Sequence, residues 1–351
     1  MRVLLLSRYG HLGASSRLRS YQYLPYLNSC GFDVTASPLF GDDYVTSMYA
    51  GNISVTSVLK SYLSRVRWLL NANRFDLVWV EKEMLPWIPS WVELGIFPSG
   101  VKLVVDYDDA LFHRYDLHRS SAVRFVLGKK IDAVMRRADL VLVGNDYLGE
   151  RAIQAGARRV EWLPTVVDVS RYTVSPEEVV SPLTIGWIGS PNTARYLKLI
   201  APVLRKLAAS YDVRVVAVGA NAEQLNDLPI EVRPWSEESE VAEIQRFDIG
   251  IMPLPDEPFE RGKCGYKLIQ YMACGKPVVA SPVGVNKQIV QDGVNGFLAA
   301  SIAQWEQYLV MLCDNAALRK QLSFAGRAHI EVNYSMQKTA PRLAALLGSV
   351  G

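Results

Sequence analysis

Short apolar runs rich in Val, Ile and Leu recur along this chain, each bounded by turn residues and followed by a helical stretch. Runs so uniformly apolar do not fit a sheet with one wet face. They are the pattern of parallel strands buried on both sides by helices. In the first half they are Arg2–Leu6, Phe32–Ala36, Leu77–Val80, Val101–Val105, Leu140–Val143 and Val160–Leu163. A polar stretch, Asp168–Ser181, then interrupts with Arg171, Ser175, Pro176 and two glutamates, the composition of an interdomain linker. The alternation restarts with Leu183–Ile188, Val213–Val218, Ile230–Arg233, Ile249–Met252, Pro277–Ala280 and Gly296–Ala299, and helices are expected at Tyr196–Ser210, Ser239–Gln245, Tyr266–Ala273 and Gln304–Cys313. The spacing predicts an α/β fold of two Rossmann-like, doubly wound domains, 1–170 and 183–337, joined by a linker at 171–182. A last apolar helix, Thr339–Leu347 within 338–351, follows the polar Val332–Lys338 and is free to pack back on the first domain.

Size agrees, since 351 residues exceed what one core usually supports. The net charge of +3 implies no nucleic-acid partner. Cys30, Cys264, Cys274 and Cys313 lack any CxxC or metal-ligand spacing, so reduced thiols are expected. The opening Met1–Leu6 is too short for a signal-peptide core, and no apolar run reaches the roughly 18–20 residues of a membrane span. These features point to the cytoplasm or the inner face of its membrane.

In open α/β sheets, ligands bind beyond the carboxyl ends of strands, so those loops hold the candidates. After the first strand, Gly10 and Gly13 allow a tight turn, and Ser15 or Ser16, followed by Arg17, can open a helix whose N–H groups meet an anion or a sugar hydroxyl. The spacing is not GxGxxG, which argues against a nicotinamide site, and a plain strand-to-helix turn reads the same way. The fourth strand runs into Asp106-Tyr107-Asp108-Asp109. Carboxylates crowded at a strand end repel one another, so contact with a polar ligand is the leading reading, with Asp108 and Asp109 as candidate catalytic groups. Helix capping is a second reading, and a DxD-type metal site, a motif of a different fold, a third.

The densest signal is the glycine loop, helix, Gly275 stop and buried strand running from Pro258 to Ala280. Arg261, Lys263 and Lys267 cluster at the start of that helix, where the dipole disfavours cations unless an anion is shared. A bound pyrophosphate accounts for them, and a solvated basic loop is the plainer alternative.

The stretch Tyr271-Met272-Ala273-Cys274-Gly275-Lys276-Pro277-Val278-Val279-Ala280-Ser281, with Val283-Gly284-Val285 and Asp292-Gly293-Val294-Asn295-Gly296-Phe297-Leu298, resembles the donor half of retaining, GT-B-fold family-4 glycosyltransferases. Gly13–Leu27, Leu163–Asp168 and Ile185–Ser190 fit the same family in the same order. The resemblance implies a cleft between facing domains, a nucleotide-diphosphate sugar on the second domain, and a glycan, lipid-linked or small-molecule acceptor on the first. It also implies no metal and no separate cofactor.

Members commonly carry a Glu-x7-Glu pair that holds sugar and ribose, and Gly262 and Gln270 stand at those places here. Many place an Arg where this chain has Ser190, after Gly189. The pyrophosphate role therefore falls to Lys263 and Lys267, with Arg195 in reserve. Cys264, Gly265 and Tyr266 border the donor, and Trp235 lies in the loop where the family holds the base. A histidine found in several members aligns with Asp108, which puts the usual acid/base assignment in doubt. The resemblance implies a hexosyl- or deoxyhexosyltransferase of glycoconjugate synthesis. Its rivals are a sugar-nucleotide epimerase and a non-catalytic sugar-nucleotide-binding subunit.

One further feature stands apart from this chemistry. The helix Val58–Leu70 carries Lys60, Arg65 and Arg67 beside an apolar face, near Trp79, Trp87 and Trp91, so peripheral membrane contact competes with an ordinary core-facing helix.

Overall fold

A computed structural model describes residues 1–49, 51–174 and 181–351. Residues 175–180, the centre of the expected linker, lie outside the described residues.

The chain forms two compact units, Met1–Thr165 with Arg261–Cys264 and Thr339–Gly351, and Val166–Glu260 with Gly265–Lys338. It therefore passes between units more often than a single linker requires. The first unit's sheet contains β1 (Arg2–Leu6), β2 (Asp33–Ala36), β3 (Leu77–Glu81), β4 (Lys102–Tyr107), β5 (Leu140–Val143) and β6 (Val160–Trp162). All six pair in parallel in the order β2-β1-β3-β4-β5-β6. Order reverses between β1 and β3, so the crevice of this sheet opens among the loops that follow those strands. Leu4, Leu6, Val78, Val80, Leu103, Val105 and Val141 pack one continuous core. Each such side chain contributes about 1.5–3 kcal/mol on leaving water.

The second unit repeats the plan with β7 (Leu183–Ile188), β8 (Val213–Val218), β9 (Ile230–Arg233), β10 (Ile249–Met252), β11 (Val278–Ala280) and β12 (Phe297–Leu298). The order is β12-β11-β10-β7-β8-β9, again all parallel, with the reversal between β7 and β10. Ile185, Trp187, Val215, Ala217, Ile249, Ile251 and Val279 form its core.

Two differences from the sequence reading have plain causes. The expected helix Tyr196–Ser210 is a 3-10 turn, Arg195–Ile200, running into an α-helix, Ala201–Ser210, at the proline that fits a helix's first turn. The final helix begins at Met336, inside the stretch read as polar, and Thr339–Gly351 belongs to the first unit, where Arg159 Nη1 donates to Ser349 Oγ at 2.8 Å. No helix of the described residues is long and apolar enough to cross a membrane.

Candidate functional site

In the first unit, the loops after β1, β3 and β4 bring their polar groups to one place, as the β1/β3 reversal predicts. Lys82 stands at its centre, in a left-handed backbone conformation with φ 65° that a residue with a side chain adopts only at a cost of about 1–2 kcal/mol. Its Nζ lies 2.9 Å from Asp108 Oδ1, 3.2 Å from Asp109 Oδ2 and 3.0 Å from Ser15 Oγ. Burial works against the Lys82 charge, but Asp108, Asp109 and Glu81 outweigh it and raise its pKa.

Three carboxyls around one amine cannot share it equally, and the surroundings sort them. Burial pushes Glu81 up to about 7, with Asp108 adding to that against the pull of Lys82 and hydrogen bonds from Ser16 and the Arg8 amide. Burial also pushes Asp108 up, but Lys82, Arg19 and a hydrogen bond from Ser15 hold it below the usual carboxylate range. Neighbouring carboxyls driven apart in this way suit a proton holder beside a permanent anion.

Behind them, Asp106 makes a fully buried ion pair with Arg19. Arg19 Nη2 meets Oδ1 at 2.5 Å and Nε meets Oδ2 at 3.1 Å, while Nη1 donates to the Leu163 carbonyl at 2.7 Å. Burial opposes both charges; the two-point contact with Asp106 raises the pKa of Arg19, while burial pushes the Asp106 carboxyl up against the pull of Arg19. Asp106 is thus committed to structure and is not a third ligand carboxylate.

The Gly13–Arg17 loop divides its roles. Ser15 reaches Lys82, and Ser16 Oγ accepts from the Tyr9 amide at 3.0 Å. Arg17 donates to the His11 carbonyl at 3.3 Å. Gly13 is the N-cap of the short helix Ala14–Arg19, where a Cβ would come within 2.3 Å of Tyr9 Cβ.

Lys263, read from the sequence as a pyrophosphate contact, and Cys264, read as bordering the donor, fold with the first unit. Lys263 Nζ is 3.9 Å from Asp109 Oδ1, Cys264 Sγ donates to the Asp108 carbonyl at 3.0 Å, and Asn145 Nδ2 donates to the carbonyls of Gly262 and Lys263 at 2.9 and 3.1 Å. Burial pushes the Cys264 thiol up to about 12, so it stays protonated.

In the second unit, Gly189 and Ser190 follow β7 at the strand-order reversal, and Lys267 and Trp187 lie against Gly189. A Cβ on Gly189 would sit 2.7 Å from Lys267 Cε and from the Trp187 ring, and the rigid indole leaves no room for a side chain there. Lys267 Nζ stands 5.3 Å from the centre of the Trp187 ring. Gly265, with φ 65°, is the N-cap of the helix Tyr266–Ala273, turning the chain so that the helix's free N–H groups lead.

Trp235 Nε1 donates to Glu240 Oε2 at 2.9 Å, and the Tyr172 hydroxyl donates to Glu240 Oε1. Gln270 Nε2 donates to that same hydroxyl at 3.1 Å, and Tyr266 OH lies 3.0 Å from it. Trp235 and Gln270 are therefore linked through Glu240 and Tyr172. Arg195 Nη2 donates to Tyr196 OH at 3.3 Å, which in turn donates to the buried Glu260. No group of carboxylates, histidines and cysteines able to hold a metal ion occurs among the described residues.

The sequence reading missed Glu81, Lys82, Glu240 and Tyr172. Glu81-Lys82-Glu83 directly follows β3, so the strand-end rule that picked out Asp108 would have found the first two. Glu240 and Tyr172 carried no linear signal.

Two doubly wound sheets of six parallel strands, one with the Rossmann order, are the GT-B architecture of glycosyltransferases. The fold matches HepE of Anabaena, solved with UDP and glucose, at a TM-score of 0.75 and 18% identity over 99% of this chain and 100% of that one. Sucrose-phosphate synthase of Thermosynechococcus elongatus matches at 0.75 and 13% identity over 99% and 98%. Residues 182–315 match the family model of glycosyl transferases group 1. A D-inositol 3-phosphate glycosyltransferase of Arthrobacter sp. (strain FB24) is 26% identical over 155 residues, spanning 40% of this chain and 35% of the relative's length. The family match is confined to residues 182–315, and the likeness to the solved structures shows the GT-B fold.

Proposed function

We propose that the chain transfers a glycosyl group from a nucleotide-diphosphate sugar to an acceptor hydroxyl, with retention at the anomeric carbon and without a metal or separate cofactor. The observation that carries this reading is the family match over 182–315, the segment that holds Gly189, Ser190, Trp235, Lys267 and Gln270. The donor is held by the second unit. Lys267 and the N–H groups opening Tyr266–Ala273 neutralise the charge growing on the leaving diphosphate, the electrostatic term that dominates such transfers. As the sugar–phosphate bond breaks and the bond to the acceptor oxygen forms, the acceptor proton passes to a diphosphate oxygen. Asp108, kept anionic by Lys82, orients a hydroxyl, with Asp109 beside it. That UDP occupies HepE of Anabaena makes UDP the first nucleotide to test.

Lys267→Ala is expected to weaken UDP binding about 10- to 100-fold, the scale of a lost charge-assisted contact, while leaving the melting temperature in place. Calorimetry with UDP, GDP and dTDP measures it, and unchanged affinity for all three removes Lys267 from the diphosphate site. Turnover should also persist in excess EDTA. Loss of turnover restored by Mg²⁺ or Mn²⁺ would reinstate the Asp106-Tyr107-Asp108 metal reading.

A second reading, a sugar-nucleotide-binding subunit without turnover, is favoured by one feature. Gly262 and Gln270 replace the expected glutamates, and Gln270 is engaged by Tyr172. Tight UDP-sugar binding with no product from any acceptor would support it.

A further inference from the structure

The helix Val55–Leu70 of the first unit carries an apolar surface that continues past its buried side onto the exposed one. Its inner face buries Leu69 and Arg65, the arginine donating to the backbone carbonyls of Ser7, Ser37 and Met84. Its outer face presents Val55, Leu59, Leu63 and Leu70, exposed by 82, 60, 62 and 60%. At about 100° per residue these four share an arc of about 80°, and at 1.5 Å per residue the stripe is about 22 Å long. Ile53, just before the helix, is exposed too. A run of large aliphatics this long on a surface marks an interaction site.

Charge says what covers it. From Tyr44 to Phe75 the chain holds no Asp or Glu, but it has Lys60, Arg65, Arg67 and Arg74. Lys60 and Arg67 are exposed and stand on the helix directly beside the leucine stripe, at the angle where an interfacial helix carries cations for headgroups. Such side chains are drawn to an anionic surface, and the attraction weakens with salt. A second copy of the chain fits poorly, because a two-fold pairing of this stripe would bring two sets of Lys60 and Arg67 together with no carboxylate on either helix to answer them.

We propose that the outer face of Val55–Leu70 docks the first unit on an anionic lipid bilayer, with Val55, Leu59, Leu63 and Leu70 entering the headgroup–acyl boundary and Lys60 and Arg67 pairing with lipid phosphates. The proposal rests on this surface alone and not on the transferase reading. An acceptor carried in the same membrane would then be met at the surface, without release into water.

The test is co-sedimentation of the full chain with vesicles of phosphatidylglycerol and phosphatidylcholine, against pure phosphatidylcholine. Wild type should bind the anionic vesicles at low salt and be released by high salt. Leu59→Ser with Leu63→Ser, and separately Lys60→Gln with Arg67→Gln, should each lower the bound fraction at least 10-fold. Both variants should keep wild-type melting and UDP affinity, so loss of docking and loss of nucleotide binding are read apart. A nitroxide on Leu63→Cys, in a Cys30→Ser background, should gain oxygen accessibility on the vesicles. Failure of wild type to sediment, equal binding by both variants, or a label that stays in water would each overturn the proposal. So would a dimer in sedimentation velocity that the leucine variant abolishes while vesicle binding is absent.

Discussion

Asp106→Ala is expected to destabilise the first unit by about 3–5 kcal/mol, because it strands the Arg19 guanidinium in the interior without its counter-charge. The remaining contacts of Arg19, to the Leu163 carbonyl and at 3.4 Å to Thr165 Oγ1, are neutral and cannot replace a carboxylate. Replacing both partners, Arg19→Met with Asp106→Leu, removes the stranded charge and should recover most of the loss, since the pair's mutual attraction largely offsets its own desolvation. Urea unfolding followed by near- and far-ultraviolet dichroism measures both variants. A chain of two units need not unfold in one step, and the shift should fall on one transition only. A loss under about 1 kcal/mol in the single variant would mean that water reaches Arg19 and that the pair is not sealed.

This pair also marks the limit of what the linear sequence discloses. The strands were legible because burial on both faces leaves little room for polar residues, so Leu140–Val143 or Leu183–Ile188 identifies itself. The long helix Ala316–Asn333 was not, since only a narrow stripe of Leu322, Gly326 and Ile330 is buried and the rest is polar. Asp106, Asp108 and Asp109 look equivalent as letters. They differ because Arg19, 87 positions away, claims the first and Lys82 the other two. Lys263 and Lys267 show the converse. They are neighbours in sequence, yet they fold with different units, and no local pattern distinguishes them.

Asp108→Asn is expected to lower turnover by roughly 10²-fold or more, the scale of one lost transition-state contact, while nucleotide affinity stays near wild type. The substitution keeps size and one acceptor oxygen, removes the charge and turns the second oxygen into an amide donor. Lys82 then leans on Asp109 at 3.2 Å, so the loop after β3 keeps an anchor. The pH profile separates a working carboxylate from a merely structural one. In wild type Asp108 is held below the usual carboxylate range, so activity that needs its anion survives to low pH and falls only as pH drops through that depressed value. In Lys82→Met the amine that opposes burial is gone, the Asp108 carboxyl rises, and the acid limb of kcat should move to higher pH. Lys82→Arg, which restores a cation, should move it back. Release of UDP followed across pH in the three variants and wild type tests this. Normal turnover in Asp108→Asn would move the role to Asp109, His113 or the Gly13–Arg17 loop, and an acid limb unmoved by Lys82→Met would show that the Asp108 charge is not what the reaction uses.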